Sequence, residues 1–399
     1  MKLFLSLLTA FIVFFGLQYY SIQTILKMGW LEYSKWWYYV VLILVYGIII
    51  GLMVAIGPRS PHFTKFTALF LLLIVPQIIM LLFGVLGDLG LFITKLISGN
   101  ENSASRRKFV GQTILALGSI PFLGILHGIA FGKYNFKKIR HKVGFANLPK
   151  AFEGYKILHI SDIHVGSLDN KEQIKKAVQM SVDEKPDLVL FTGDLVNHSS
   201  KEVEGWEDIL NKFIAKDGLY AVLGNHDYSP YTEGTPEEKK IELEKTKDKY
   251  HELGFKLLNN ENTLLKRGED AIRLLGVEYW GNTMKDQPGD LDLALQGVDK
   301  DEFKILMSHD PSHVEKIVFP HDVPFELSLS GHTHGMQFGI EIPGWIKWSP
   351  IQYVYKYWAG MYQNNGQFLN VNRGFGFHAY SGRTGIWPEL SIITLTHQT

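Results

Sequence analysis

Eight residues of this 399-residue chain have the types and spacing to hold metal ions and act on a bound substrate. They are Asp162, His164, Asp194, Asn225, His226, His309, His332 and His334. They fall in short clusters: Asp162-Ile163-His164, Gly193-Asp194, Gly224-Asn225-His226-Asp227, Ser308-His309-Asp310 and Gly331-His332-Thr333-His334. Neutral imidazole and carboxylate suit divalent ions such as manganese, iron, zinc or nickel. The i, i+2 spacing of Asp162/His164 and His332/His334 would turn both side chains to one side of an extended segment. The glycines before Asp194, Asn225 and His332 let the backbone turn sharply and approach a ligand. One Asp-x-His or one Gly-Asp alone carries no information, whereas the whole ordered set does. His198, His251, His313 and His321 stand outside these clusters and read as surface or structural histidines.

The clusters need elements to position them. Each follows a short apolar run. Tyr155 to Ser161, Asp187 to Thr192 and Leu219 to Leu223 read as buried strands, because apolar runs of this length bounded by turn residues suit strands covered on both faces. Amphipathic helices are expected at Lys171 to Val182 and about Val203 to Phe213, giving β-α-β units. Thr235-Pro236 opens a charged helix that reaches about Leu253, with Thr235 as N-cap. Later strands are expected at Ile272–Val277, Phe303–Met307, Phe325–Leu329, Phe368–Val371 and Ser391–Leu395. The pattern predicts a layered α/β sandwich with a mixed second sheet. In such folds, sites form beyond the carboxyl ends of strands.

The ordered clusters resemble the calcineurin-like metallophosphoesterase superfamily, from about Gly154 to the C-terminus. Val371-Asn372-Arg373-Gly374-Phe375-Gly376 and Trp387-Pro388-Glu389-Leu390 are similar to its membrane-associated bacterial branch. The resemblance implies a four-layer α-β-β-α sandwich with a dinuclear centre. It implies that Asp162, His164 and His334 bind one metal ion and that Asn225, His309 and His332 bind the other. Asp194 would bridge them, and His226 would stand beside the substrate as general acid or charge stabiliser. Manganese is the first expectation for the metal, with iron, zinc or nickel as alternatives.

Two metals about 3.5–4 Å apart can clamp a phosphoryl group and activate a hydroxide for in-line attack. A protonated His226 could then give its proton to the departing oxygen. One position departs from the family pattern. Three residues after Asp194, where the family often has an aspartate that orients the catalytic histidine, stands Asn197. An amide carries no charge to support an imidazolium.

Composition divides the chain. Lys plus Arg and Asp plus Glu number 40 each, so the formal net charge is zero, and the basic footprint of nucleic-acid binders is absent. With 0 cysteines, disulfides and thiolate metal sites are excluded. Residues 1–132 are dominated by Leu, Ile, Phe, Val and Gly and read as a transmembrane domain. Residues 133–153 read as a linker and 154–399 as the phosphoesterase domain. A span needs about 20 mostly apolar residues. Four stretches qualify or nearly so: Leu3–Tyr20, Tyr38–Ile56, Phe66–Leu86 with apolar residues continuing to Ile97, and Phe109–Phe131. The first lacks a clear cleavage site and reads as an anchor. Asp88, among Gly84, Gly87 and Gly90, is expected at a helix end near the interface, and His127 lies late in the fourth span.

Orientation signals conflict. Lys27, Lys35, Lys95, Arg106, Arg107 and Lys108 flank the spans on one side. Lys2, Arg59, Lys65 and Lys133 to Lys142 flank them on the other, which weakly favours a cytoplasmic domain. Ser105-Arg106-Arg107-Lys108-Phe109-Val110 before an apolar run resembles a twin-arginine export signal. The preferred reading is a bacterial inner-membrane protein with an extracytoplasmic catalytic domain. Its expected substrate is a phosphomono- or diester, and a lipid-linked or envelope-precursor phosphate would suit the tether. The alternatives are a cyclic-nucleotide phosphodiesterase and a non-catalytic metal-binding sensor or scaffold. Arg373 and Arg383 are weak candidates for phosphate contact. The aromatic segment Ile342–Tyr362 reads as core packing, a cap over the site, or a belt at the membrane interface.

Overall fold

The computed structural model describes residues 2–27, 36–57, 60, 62–99, 104–228, 234–281 and 287–398. Lys35 and Arg59 lie outside the described residues. The chain divides into two compact units, Met1–Ala130 and Phe131–Thr399.

The first unit is helical: α1 Lys2–Lys27, α2 Trp36–Ile56, α3 Phe63–Ser98 and α4 Ala104–Ala130. Among the described residues, Trp37–Ile56, Phe63–Ser98 and Ala104–Ala130 are long and apolar enough to cross a membrane. One expectation changes here. Asp88 stands inside α3 rather than at its end, because the glycines around it do not break the helix. They serve close packing instead: a Cβ at Gly84 would press on Tyr20 and one at Gly87 on Val110, as small residues do at helix interfaces in membranes. At 36 residues α3 is about 54 Å long. It outruns a hydrocarbon core of about 30 Å, so Asp88 can reach an interface without a helix end. The Arg106-Arg107-Lys108 cluster lies within the first turns of α4. A buried amide pair, Gln18 Nε2 donating to Gln77 Oε1 at 2.8 Å, ties α1 to α3.

Among the described residues, the second unit holds fourteen strands. They are β1 Lys137–Phe145, β2 Lys156–Ile160, β3 Leu188–Phe191, β4 Leu219–Ala221, β5 Lys256–Leu257, β6 Glu261–Arg267 and β7 Asp270–Gly276. Then follow β8 Lys304–Met307, β9 Leu327–Ser330, β10 Ile340–Ile342, β11 Ile346–Trp348, β12 Gly360–Asn364, β13 Gln367–Val371 and β14 Glu389–His397. One six-stranded sheet runs β1-β14-β2-β3-β4-β5 and the other β12-β13-β9-β8-β7-β6. β2 to β5 are mutually parallel, as are β7, β8, β9 and β13.

The alternation of side chains along each strand explains the layers. Leu188 and Leu190 point into the core between the sheets, with Ile157, Leu274, Ile305 and Leu327. Val189 and Phe191 point the other way, under helices α5 Lys171–Val182 and α7 Pro236–Glu252. Burying each such side chain stabilises by about 1.5–3 kcal/mol. A third core covers the outer face of the second sheet, where Val314 and Val318 meet Leu275 and Leu306. The result is the expected α-β-β-α sandwich.

Local signals placed the helices. Asn170 caps α5 by accepting from Gln173 N, and Thr235 and Glu238 form a reciprocal capping box on α7. The helix expected at 203–213 is reduced to Glu207–Leu210, because Gly205 takes φ 80° just before it. The segment expected as a linker, 133–153, instead carries β1, which pairs in parallel with β14 along nine residues. Its half-polar face had hidden it: only Val143 and Phe145 of the strand are buried.

Candidate metal centre

The carboxyl ends of parallel strands from both sheets converge. β2 leads into Asp162 and His164, β3 into Asp194, and β4 into Asn225 and His226. From the other sheet, β8 leads into His309 and β9 into His332 and His334. β13 leads into a loop that brings His378 and Arg383.

The backbone there is unusual. Asp162, His164, Asp194, His332 and His334 all have positive φ, between 47° and 69°. Non-glycine residues rarely adopt this conformation, and each instance costs about 1–3 kcal/mol. The i, i+2 pairs therefore reach the site from tight left-handed turns, not from the extended segments expected. Hydrogen bonds hold the turns. Asp162 N donates to Gly193 O at 2.9 Å and His164 N to Asp194 O at 3.1 Å. His332 N donates to the Asp162 carboxylate at 3.0 Å. Gly331 has a second reason to be glycine, since a Cβ would overlap Ser161 Oγ and Asp162 Oδ2.

Three sets of ligand atoms result among the described residues, of which the third, His164 with His226 and His378, borrows a member of the first. In the first, His164 Nε2 and His334 Nε2 lie 3.0 Å apart, and Asp162 Oδ1 lies 3.3 Å from His334 Nε2 and 4.0 Å from His164 Nε2. In the second, His309 Nε2 lies 3.2 Å from Asp194 Oδ2 and 3.3 Å from His332 Nδ1. Metal–ligand bonds of about 2.0–2.2 Å put neighbouring ligands about 3 Å and opposite ones about 4 Å apart, so either set fits one divalent ion. Asp194 Oδ2 is also 3.5 Å from His164 Nε2, which gives one oxygen reach to both sets. Asn225 is buried in the turn after β4, and the next residue, His226, donates its backbone N–H to Asp194 Oδ1 at 2.8 Å. All eight sequence candidates are thus brought to one rim.

Electrostatics favour neutral imidazole at three of the histidines, whereas at His309 burial is outweighed by the Asp194 carboxylate, which raises the ring to about 10. Burial pushes the imidazoles of His164, His332 and His334 below their ordinary value, so they are neutral with lone pairs to offer. Burial would raise Asp194, but His309 and His226 outweigh it and hold the carboxylate ionised. Burial also pushes Asp162 up to about 6, with Asp194 adding to the shift.

Partners behind the ligands orient them. His309 Nδ1 is 2.6 Å from Thr192 O, and His332 Nε2 is 2.9 Å from Tyr355 Oη. Tyr355 belongs to the aromatic segment, which therefore splits: Tyr355 reaches the site, Tyr357 and Trp358 are core, and Trp345 and Tyr353 are exposed. Asp227 accepts from the backbone N–H groups of Asp194, Leu195 and Gly224, holding the turn after β3 against the turn after β4.

Asn197 holds His226 in an unexpected way. Its backbone carbonyl lies 2.8 Å from His226 Nδ1, while its side-chain Oδ1 lies 2.9 Å from His164 Nδ1. The side-chain oxygen thus supports a member of the first ligand set, and the backbone orients His226.

His378 was missed from sequence. Its ring lies 4.5 Å from that of His226 and stacks 4.8 Å from that of His164, and burial lowers it to about 3. No motif neighbour marks it, and only its place two residues after the Gly-Phe-Gly run hints at it. Arg373 is committed to Glu341 and Glu389 in a buried ion cluster. Arg383 is fully buried, donates to Gly376 O at 2.6 Å, and places Nη2 3.3 Å from His334 Nδ1.

Known proteins share this organisation. Residues 155–336 match the calcineurin-like phosphoesterase family, and residues 1–133 match a probable calcineurin-like phosphoesterase transmembrane domain. The chain is 29% identical to the uncharacterized metallophosphoesterase YkuE of Bacillus subtilis, over 73% of this chain and 97% of that protein. It is 26% identical to the phosphodiesterase YaeI of Escherichia coli, over 73% of this chain and 99% of that one. It is 27% identical to a transmembrane protein with metallophosphoesterase domain from Danio rerio, over 78% of this chain and 69% of that one. Family matches, donor atoms and apolar helices agree: the chain carries a calcineurin-like phosphoesterase domain together with a phosphoesterase-type transmembrane domain, and is a membrane-associated phosphoric ester hydrolase of a kind that uses divalent metal ions.

Proposed function

We propose that this protein hydrolyses phosphomono- or diesters at a dinuclear centre, with a lipid-linked or envelope-precursor phosphate as substrate class. Asp162, His164 and His334 would hold one ion, Asn225, His309 and His332 would hold the other, and Asp194 would serve both. The observation that carries this reading is Asp194 Oδ2, within 3.2 Å of His309 Nε2 and 3.5 Å of His164 Nε2. Manganese is the favoured metal, with iron, zinc or nickel as alternatives, since imidazole and oxygen donors without thiolate suit all of these divalent ions.

Bound divalent ions supply Lewis acidity and activate water as the nucleophile. The protein's own groups do the rest. His226 gives Nδ1–H to Asn197 O, which leaves Nε2 as the nitrogen that exchanges a proton with the leaving oxygen. Asp194 Oδ1 accepts from His226 N and keeps that residue beside the centre. The tight turns at Asp162, Asp194 and His332 fix the donors before substrate arrives.

The membrane unit suits a substrate that is itself in a bilayer. In this reading the protein resides in a bacterial inner membrane, and Ser105-Arg106-Arg107 in the first turn of α4 supports a catalytic domain facing away from the cytoplasm. Lys240 is exposed. Labelling of Lys240→Cys on intact cells by an impermeant thiol reagent is expected, and labelling only after lysis would reverse the orientation.

Hydrolysis of bis(4-nitrophenyl) phosphate, 4-nitrophenyl phosphate and a cyclic nucleotide with added Mn²⁺ tests the chemistry. Wild type is expected to turn over at least one noncyclic ester, and Asp194→Asn to lose that activity. Activity that survives the substitution would remove the dinuclear reading.

A further inference from the structure

β10 and β11 form a two-stranded hairpin outside both main sheets. Its turn, Ile342-Pro343-Gly344-Trp345, has Gly344 at φ 75° and Trp345 N donating to Ile342 O at 3.0 Å. This is a tight turn with proline first and glycine second, and it sets Trp345 at the hairpin's tip. Trp345 is 76% exposed. Tyr353 and Val354, which follow the hairpin, are 77% and 74% exposed, and Ile340 and Ile342 are exposed on the hairpin itself. Single exposed apolar residues are ordinary, but a contiguous group of large ones marks a contact surface.

Three observations choose the occupant. The group joins Trp and Tyr to aliphatic residues, the mixture that concentrates at membrane–water interfaces. It borders the metal centre, because Tyr355 follows Val354 and meets His332 Nε2 at 2.9 Å. It is also linked within the second unit to the point where that unit begins. Gly132 packs so closely on the strap 383–387 that a Cβ there would overlap Arg383 O. The same strap reaches the hairpin's first strand: Gly339 N donates to Thr384 O at 2.9 Å, and Phe338 bridges to Thr384. Phe131, 68% exposed, is the residue next to the end of α4. The chain thus enters this unit beside the structure that carries the apolar tip.

We propose that the 340–354 hairpin region docks into the surface of the bilayer that anchors the protein, with Trp345, Tyr353 and Val354 at headgroup depth. This placement sets the metal centre at the level of lipid headgroups. It deepens the lipid-phosphate reading above and rests on it for the substrate, while the docking itself rests only on the membrane anchoring.

The absence of native cysteine makes the test clean. The full-length variant Val354→Cys carries a polarity-sensitive fluorophore in phosphatidylcholine–phosphatidylglycerol liposomes. Glu269→Cys is the control: it is exposed at the β6–β7 turn, at the opposite end of the strands from the ligands. Quenching by lipid-borne nitroxide is expected to be at least fivefold stronger at 354 than at 269, with iodide giving the reverse order. Equal quenching by iodide at both positions would overturn the proposal. So would a 354 label shielded from both quenchers that crosslinks to a second copy, which would make the patch a protein interface. Hydrolysis of bis(4-nitrophenyl) phosphate by Val354→Cys is expected at the wild-type rate. Absence of wild-type activity on both this diester and 4-nitrophenyl phosphate would remove the proposed dinuclear hydrolysis and leave the quenching result standing.

Discussion

Asn197 Oδ1 lies 2.9 Å from His164 Nδ1 and accepts a hydrogen bond from its N–H, which leaves His164 Nε2 to face His334 Nε2 and Asp194. The asparagine thus sets the tautomer of a proposed metal ligand, and Ser167 Oγ, accepting from Asn197 Nδ2 at 2.9 Å, sets the amide. Outer groups of this kind tune both ligand orientation and affinity.

Asn197→Leu keeps the size and removes the acceptor. Affinity for Mn²⁺ is expected to fall about 10–100-fold, read by calorimetric titration. Unchanged affinity would show that packing alone orients His164.

His226→Ala is expected to lower turnover about 10²–10⁴-fold, the usual contribution of a positioned acid. Metal content by elemental analysis should stay at the wild-type level, because neither proposed ligand set includes His226 among its donors. Loss of metal from this variant would move His226 into the ligand set.

Removal of metal should cost stability as well as activity. Chelation followed by dialysis is expected to lower the melting temperature. Mn²⁺ at 100 times its Kd should restore about 2.7 kcal/mol, and a melting temperature indifferent to Mn²⁺ would contradict binding at this centre.

Glu389 carries a pH dependence distant from the ligands. Burial alone would raise its pKa, but Arg373 beside it outweighs burial and holds it below the ordinary 4.5. A depressed carboxylate stabilises the fold above the unfolded value, and that stability is lost as pH falls through the folded value. Glu389→Gln is expected to destabilise by about 3 kcal/mol near pH 7, the lower end for breaking a buried pair, because Glu341 still pairs with Arg373. The gap to wild type should hold down to about pH 4.5 and close below it. A gap that instead closed between pH 7 and 5 would reverse the sign of the shift.

Much of the site was legible because its signals are local. Asp162, Asp194 and His332 each follow a run whose burial on both faces can be read from a few residues, as at Leu188–Phe191. Thr235 and Pro236 announced α7 by the same local logic. Features that depend on distant partners were harder. β1 is polar on one side and needs Glu389–His397 to become a strand. His378 gains its meaning only by stacking on His164, 214 positions away in sequence. The left-handed turns at Asp162 and His334 were not announced, since aspartate and histidine adopt positive φ more often than other side chains but still only in a small minority of cases. Asp88 was misplaced because Gly84 and Gly87 read as helix breakers, whereas packing against Tyr20 and Val110 keeps α3 intact.

The pairing of β1 with β14 has a consequence for synthesis. Residues 137–145 leave the ribosome some 250 positions ahead of their partner strand at 389–397. Each proposed ligand set is likewise split along the chain: His164 waits 170 positions for His334, and Asp194 waits 115 positions for His309. Such long-range closures are slow. The nascent catalytic unit therefore spends most of its translation unable to retain a metal, and acquires one only when nearly the whole domain has been made.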